Sequence, residues 1–182
     1  MFARGGDAGL GPLLGQESFP AELVDNGSKT PGTGQAAGAE VWMPSYLALL
    51  AEACGKEGQV EEGLALVAEA LATIGKTEAR RNEADLYRLR GELILQSSVQ
   101  GLESRVNEAE ECFLKAIAIA RMQHAKSWEL RAATSLAHLW QQQGKRAEAH
   151  KLLSDVYNWF TEGFDTKDLQ EAKALLAALA AA

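Results

Sequence analysis

The sequence has little positive charge, little cysteine and no long apolar run, and each shortage removes a class of function. Only 18 Lys and Arg stand against 25 Asp and Glu, a formal net charge of −7. Phosphate backbones are held by clustered cations, so a direct nucleic-acid role is not expected. The basic groups that exist, Arg80 with Arg81 and Arg88 with Arg90, are interleaved with Glu78, Glu83, Asp85 and Glu92. That is the pattern of a solvated helix face of mixed sign. Cysteine is limited to Cys54 and Cys112, both among apolar neighbours. They are expected to be small buried hydrophobes rather than a disulfide or a reactive thiol, which suits a reducing compartment.

No stretch of about 18 apolar residues is present, so no transmembrane helix is expected. The first twenty residues hold Asp7 and Glu17 and lack the apolar run of a signal peptide, so the expected localisation is cytoplasmic. Alternation of β-branched residues is missing as well, which argues against strands.

Proline and glycine are scarce in one part of the chain and concentrated in the other. Residues 1–38 carry 9 of the 17 Gly and 3 of the 4 Pro, with breakers at Gly5-Gly6, Gly11-Pro12, Asn26-Gly27 and Pro31-Gly32. Such a segment is expected to be a flexible leader with few packed contacts, Leu13, Leu14 and Phe19 being its candidates for docking. From Ala39 to Ala182 only Pro44 remains, and apolar residues recur at helical spacing. Hydrophobic residues at 47% against 24% charged are enough to bury a core.

Seven segments show one apolar face each. Tyr46, Leu47, Leu50, Ala51 and Cys54 mark the first, broken by Gly55 and Gly58. Leu64, Val67, Leu71 and Ile74 mark the second, ended by Gly75; Leu86, Leu89, Leu93 and Ile94 the third. Val106, Phe113, Ile117 and Ala120 mark the fourth, and Leu130, Leu136, Leu139 and Trp140 the fifth, ended by Gly144. Leu152, Val156, Trp159 and Phe160 mark the sixth, ended by Gly163. Asp165 or Thr166 is then placed to cap a last helix through Leu169, Ala172, Leu176 and Leu179, with Asp168 in its first turn. The expected fold is all-α.

The segments repeat. When Gly63, Ala109 and Ala149 are aligned, a large residue follows four later in each case: Val67, Phe113, Leu153. Ala70, Ala116 and Val156 follow three further on, and the preceding helix of each pair carries a small residue at Ala51, Gly91 and Ala137. A small residue lets two helices approach, and a large one beside it fills the space. This small-then-large spacing resembles the tetratricopeptide repeat, a helix–turn–helix unit. The resemblance implies antiparallel hairpins stacked as a short solenoid, with the last helix as a cap. The aligned positions are 46 and 40 residues apart rather than the family's 34, so longer helices and a longer turn around Ser97–Ser104 are expected.

A narrower resemblance covers about residues 39–179. The stretches WMPSYLALLAEA from Trp42, EADLYRLRGEL from Glu83, SWELRAATSLA from Ser127 and YNWFTEGFDTKDL from Tyr157 are similar to the C-terminal repeat region of large bacterial regulators. Those proteins join ATPase and often adenylate or guanylate cyclase or DNA-binding modules to a tetratricopeptide tail. The resemblance implies a tail that docks a partner in signalling or transcription regulation. The nucleotide-binding and cyclase motifs are missing here, so no such activity is carried over.

Other chemistry is thin. Gly75-Lys76-Thr77 ends like a phosphate-binding loop, but that loop needs a Gly where Ala70 stands and a strand before it. His124, His138 and His150 lie 14 and 12 residues apart, without the spacing of metal ligands, and are expected on the surface or in a groove. Cys112 has no His or Asn nearby in sequence to activate it. Glu61-Glu62 and Glu110-Glu111 are expected in the first turns of second-of-pair helices, where acids complement the dipole. Trp42, Trp128, Trp140, Trp159 and Phe160 are expected to wedge between helices. No catalytic residue, cofactor or metal is expected.

In a tetratricopeptide array the first helix of each pair lines the concave face. On that register the partner-binding positions are Ser45, Ala48 and Glu52; Asp85, Arg88 and Glu92; and Arg131, Thr134, His138 and Gln141. The strip is polar and mixed in sign, suited to an extended protein or peptide segment. Arg88 and Arg131 are expected to be solvent-facing, so that reversing both charges leaves folding nearly unchanged. The competing expectation is a homodimer through terminal repeat surfaces, with residues 157–164 or the Ala-rich end as the contact.

Overall fold

The computed structural model describes residues 34–77, 80–99 and 101–181. Of the expected leader at residues 1–38, residues 1–33 with Leu13, Leu14 and Phe19 lie outside the described residues, and residues 34–38 are helical. The described chain is all-helical: α1 (Gly34–Lys56), α2 (Val60–Thr77), a 3₁₀ turn (Arg80–Asn82), α3 (Glu83–Gln96), α4 (Leu102–Met122), α5 (Lys126–Gln142), α6 (Arg146–Tyr157) and α7 (Lys167–Ala180). No strand occurs among the described residues.

Three breakers act differently from the sequence expectation. Helix α1 starts at Gly34, before Ala39, and carries Pro44 inside it with a buried ring. Gly55 does not end α1. It lies in the last turn, where an added Cβ would sit 3.0 Å from Leu93. Gly75 also lies within its helix, because α2 runs on to Thr77.

One turn recurs three times. Gly58 and Gly144 take left-handed φ values of 77° and 79°, and His124 stands in the same conformation at 53°. After each, the next backbone N–H reaches back five residues: Gln59 to the Cys54 carbonyl at 2.8 Å, Ala125 to Ala120 at 2.9 Å, Lys145 to Trp140 at 2.8 Å. This closes the helix end by satisfying carbonyls that have no partner inside the helix. Glycine adopts the conformation without strain; His124 does so at a cost of about 1 kcal/mol. Thr166 precedes α7 in the cap position, but its hydroxyl donates to the Gly163 carbonyl at 2.8 Å instead of capping the helix.

Each helix packs against the next, and α1, α3, α5 and α7 also pack in series. The positions aligned in sequence are all buried: Gly63, Ala109 and Ala149; Val67, Phe113 and Leu153; Ala70, Ala116 and Val156. Gly91 shows why a small residue is needed. A Cβ there would meet the Phe113 ring at 2.6 Å, so the ring occupies the space a side chain would fill. Gly63 likewise approaches the Ala51 carbonyl and the Leu93 methyls. Helix α3 joins two parts of the core, Leu86, Leu89 and Leu93 packing with α1 and α2 while Ile94 packs with α4 and α5.

Candidate partner-binding groove

Polar side chains from the four odd-numbered helices converge on one groove of about 440 Å³. Glu52 and Leu49 come from α1, Arg88 and Glu92 from α3, Arg131, Thr134 and Ser135 from α5, and Lys167, Asp168 and Glu171 from α7. The spacing explains the convergence. Residues three, four or seven apart share a helix face, so 85, 88 and 92, like 131, 134, 135 and 138, form continuous strips.

The groove walls are tied by charge. Arg88 donates from Nε to Asp85 at 2.7 Å and from Nη1 to both Glu92 oxygens at 2.8 and 2.9 Å. Burial works against its charge, but the Asp85 and Glu92 carboxylates outweigh that penalty and raise its pKa. Ser135 donates to Glu92 at 2.7 Å, bridging α5 to α3, and Arg131 donates to Asp168 at 2.7 Å, bridging α5 to α7. Lys56, 2.8 Å away, holds the Glu52 carboxyl below its ordinary range against partial burial, with the Arg88 and Arg131 charges adding to it.

The groove gathers five of the anticipated partner-binding residues: Glu52, Arg88, Glu92, Arg131 and Thr134. The others sit around it. Ser45 accepts a hydrogen bond from Asn82, Asp85 lies behind Arg88, and His138 stands 3.7 Å from Glu171. Gln141 is half-buried near the end of α5, and Ala48 is in the core. Two of the five differ from the expectation of open, exposed positions. Arg88 is buried, because the α3 face it occupies is covered from α1 and α5. Thr134 is buried and its hydroxyl donates to the Leu130 carbonyl, so it offers no free donor. Charge reversal at Arg88 would bury three carboxylates together and is not neutral for folding.

Sequence reasoning missed Leu49, Ser135 and the whole α7 contribution. The signal was present: Lys167, Asp168 and Glu171 lie along one border of the buried row Leu169, Ala172, Leu175 and Leu179 on α7. As the next member of the odd-helix series, α7 brings these three side chains to the groove.

Elsewhere the structure gives other corrections. Glu110 and Glu111 lie well inside α4, which begins at Leu102, rather than in its first turn. Glu110 accepts from Trp140 Nε1 at 2.9 Å and so ties α4 to α5. Trp128 and Trp140 pack against the core, whereas Trp42 and Trp159 are more than half exposed. Helix α6 ends at Tyr157, which leaves Trp159 and Phe160 in the connection to α7. Cys112 is buried, and that burial pushes its thiol pKa up; Cys54 is half-buried. Gly75-Lys76-Thr77 forms the last turn of α2, where carbonyls rather than amides are presented. Among the described residues no cluster of three or more His, Cys, Asp or Glu could hold a metal ion, and no helix is long and apolar enough to cross a membrane. Comparison with protein-family models gives no match to this chain, and comparison with curated proteins gives no significant one.

Proposed function

We propose that this chain is a non-catalytic protein-interaction module. In this reading its helices form a short tetratricopeptide-like array, and a partner segment lies along the groove of the odd-numbered helices. The observation that carries it is the convergence of polar side chains from four successive odd helices on one open groove. Its charged groups are paired with one another rather than poised as acid and base, which suits recognition better than chemistry. Glu92, Asp168 and Glu171 outnumber the accessible cations Arg131 and Lys167, so the groove favours an extended segment rich in backbone amides and Lys or Arg. A cytoplasmic setting in bacterial signalling or transcription regulation is the context that the resemblance to regulator tails suggests.

Arg131→Glu tests the reading. Arg131 is 47% exposed in its side chain, and surface pairs of this kind contribute about 0–1 kcal/mol to folding. The variant is expected to keep its melting curve while losing at least about tenfold in affinity for a partner captured with the wild-type chain. The two proteins are compared by titration calorimetry on that partner. Equal affinities would place the interface off this groove.

A further inference from the structure

Helix α1 carries an apolar stripe left largely open among the described residues, with the Arg81 guanidinium over the Trp42 ring at 5.8 Å. Trp42, Met43, Tyr46, Leu49 and Leu50 are between 42% and 65% exposed, and Ala53 continues the row. At 100° per residue these positions occupy roughly a third of the helix circumference. The opposite face, Pro44, Leu47, Ala48 and Ala51, is buried where α1 packs against α2 and α3. So α1 is apolar on both sides and partnered on one, whereas a helix at the edge of a protein is ordinarily polar outside. An exposed contiguous apolar patch of this kind often marks an interaction site.

We propose that the stripe is the contact between two copies of this chain, the two α1 helices pairing antiparallel across a two-fold axis. Three features select a second copy as the occupant. Five half-exposed large side chains offer roughly 500 Å² per copy, so a pair reaches about 1,000 Å², the lower bound for a specific interface. The stretch from Val41 to Ala51 contains no charge, being bounded by Glu40 and Glu52. A two-fold contact sets this stretch against the same stretch of the other copy, so in a chain of net charge −7 a neutral face is the one that self-pairs without repulsion. The row also includes Trp, Tyr and Met, types enriched at interface cores. Pairing there continues the packed series α1, α3, α5 and α7 into the partner copy, and Leu49 at the groove edge sets the two grooves side by side.

Sedimentation velocity on the full 182-residue chain, across roughly 1 to 100 μM, reads the association directly, because dimer population follows concentration. Wild type is expected to move from 19.5 kDa to twice that mass as concentration rises. Tyr46→Glu with Leu49→Glu is expected to stay at the monomer mass throughout with an unchanged circular dichroism spectrum, since both side chains are exposed. Tyr46→Ser alone is expected to weaken dimerisation about tenfold, which keeps the test open if the double variant loses helicity. Trp159→Ser, at the other exposed aromatic site, is expected to dimerise like wild type. A monomeric wild type at every concentration overturns the proposal. So does a dimer that survives Tyr46→Ser unchanged, or one that Trp159→Ser dissolves.

Discussion

Helices α1 and α5 belong to the same series, yet they are buried very differently. Helix α5 packs against α3, α4, α6 and α7, and Leu130, Ala132, Ala133, Leu136, Ala137 and Leu139 are all in the core. Helix α1 packs against α2 and α3, and large apolar side chains that look equally suited to a core remain half-exposed. Leu50 in α1 and Leu136 in α5 are the same residue type, and α1 is the more apolar helix of the two. Neighbours, not hydrophobicity, separate them. A helix in the middle of the series is covered on several sides, and one at its end is covered on fewer.

The sharpest way to break that contrast is a matched pair of truncations. Leu136→Ala is expected to cost about 2–5 kcal/mol, the lost transfer energy plus the cavity it leaves. Leu50→Ala is expected to cost no more than about 0.5 kcal/mol at concentrations where the chain is monomeric. Urea unfolding of both variants makes the comparison. Equal losses would mean that the α1 stripe is packed in the monomer after all.

A second contrast is electrostatic. Glu129 in the first turn of α5 is 2% exposed and accepts hydrogen bonds from Arg121 and Lys126, each at 2.7 Å. Burial alone would raise its pKa, but these two cations, Arg121 first, hold it below the ordinary 4.5. A carboxyl with a lowered folded pKa stabilises the fold above its unfolded value, and that contribution is lost as pH falls through the folded pKa. Glu129→Gln is therefore expected to cost about 1–2 kcal/mol at neutral pH. Its deficit against wild type should shrink as the pH falls below 4.5. Thermal melts of both proteins from neutral to acid pH check the sign; a constant deficit would mean that Glu129 acts through packing and not through charge. Helix α1 has no acid in its first turn and no counterpart to this cluster.

A smaller effect, of opposite sign, concerns the recurring turn. His124→Gly is expected to stabilise the chain by about 1 kcal/mol or less, because the left-handed conformation is strained for histidine and not for glycine. A loss of stability in chemical denaturation would show that the imidazole makes a compensating contact. The same turn between α1 and α2 already has Gly58.

Much of the local architecture was legible in the residues. Seven apolar rows at helical spacing correspond to seven helices, and the small-then-large pattern of Gly63, Ala109 and Ala149 marks residues that are all buried. Breaker glycines were less reliable guides. Gly58 and Gly144 end helices with positive φ, while Gly55, over which Leu93 packs, and Gly75 lie inside theirs, with one and two helical residues still to follow. The left-handed His124 gave no warning, since its conformation is imposed by the turn around it.

Of the groove, the sequence reached the strip on α3 and α5 and the Glu52 position on α1, since residues on one helix face follow from periodicity alone. It determined by itself that the chain is helical and which small residues permit close approach, but not which side of α1 turns inward, since Tyr46 and Leu50 of its expected apolar face are exposed and Ala48 is buried. Tertiary structure alone decided that α7 completes the groove, that Arg88 is covered, that Glu129 is buried with its cations and that Trp42 and Trp159 are not. The groove and the cover over Arg88 depend on residues tens of positions away, and burial is a property of the surroundings that a side chain finds, not of the side chain.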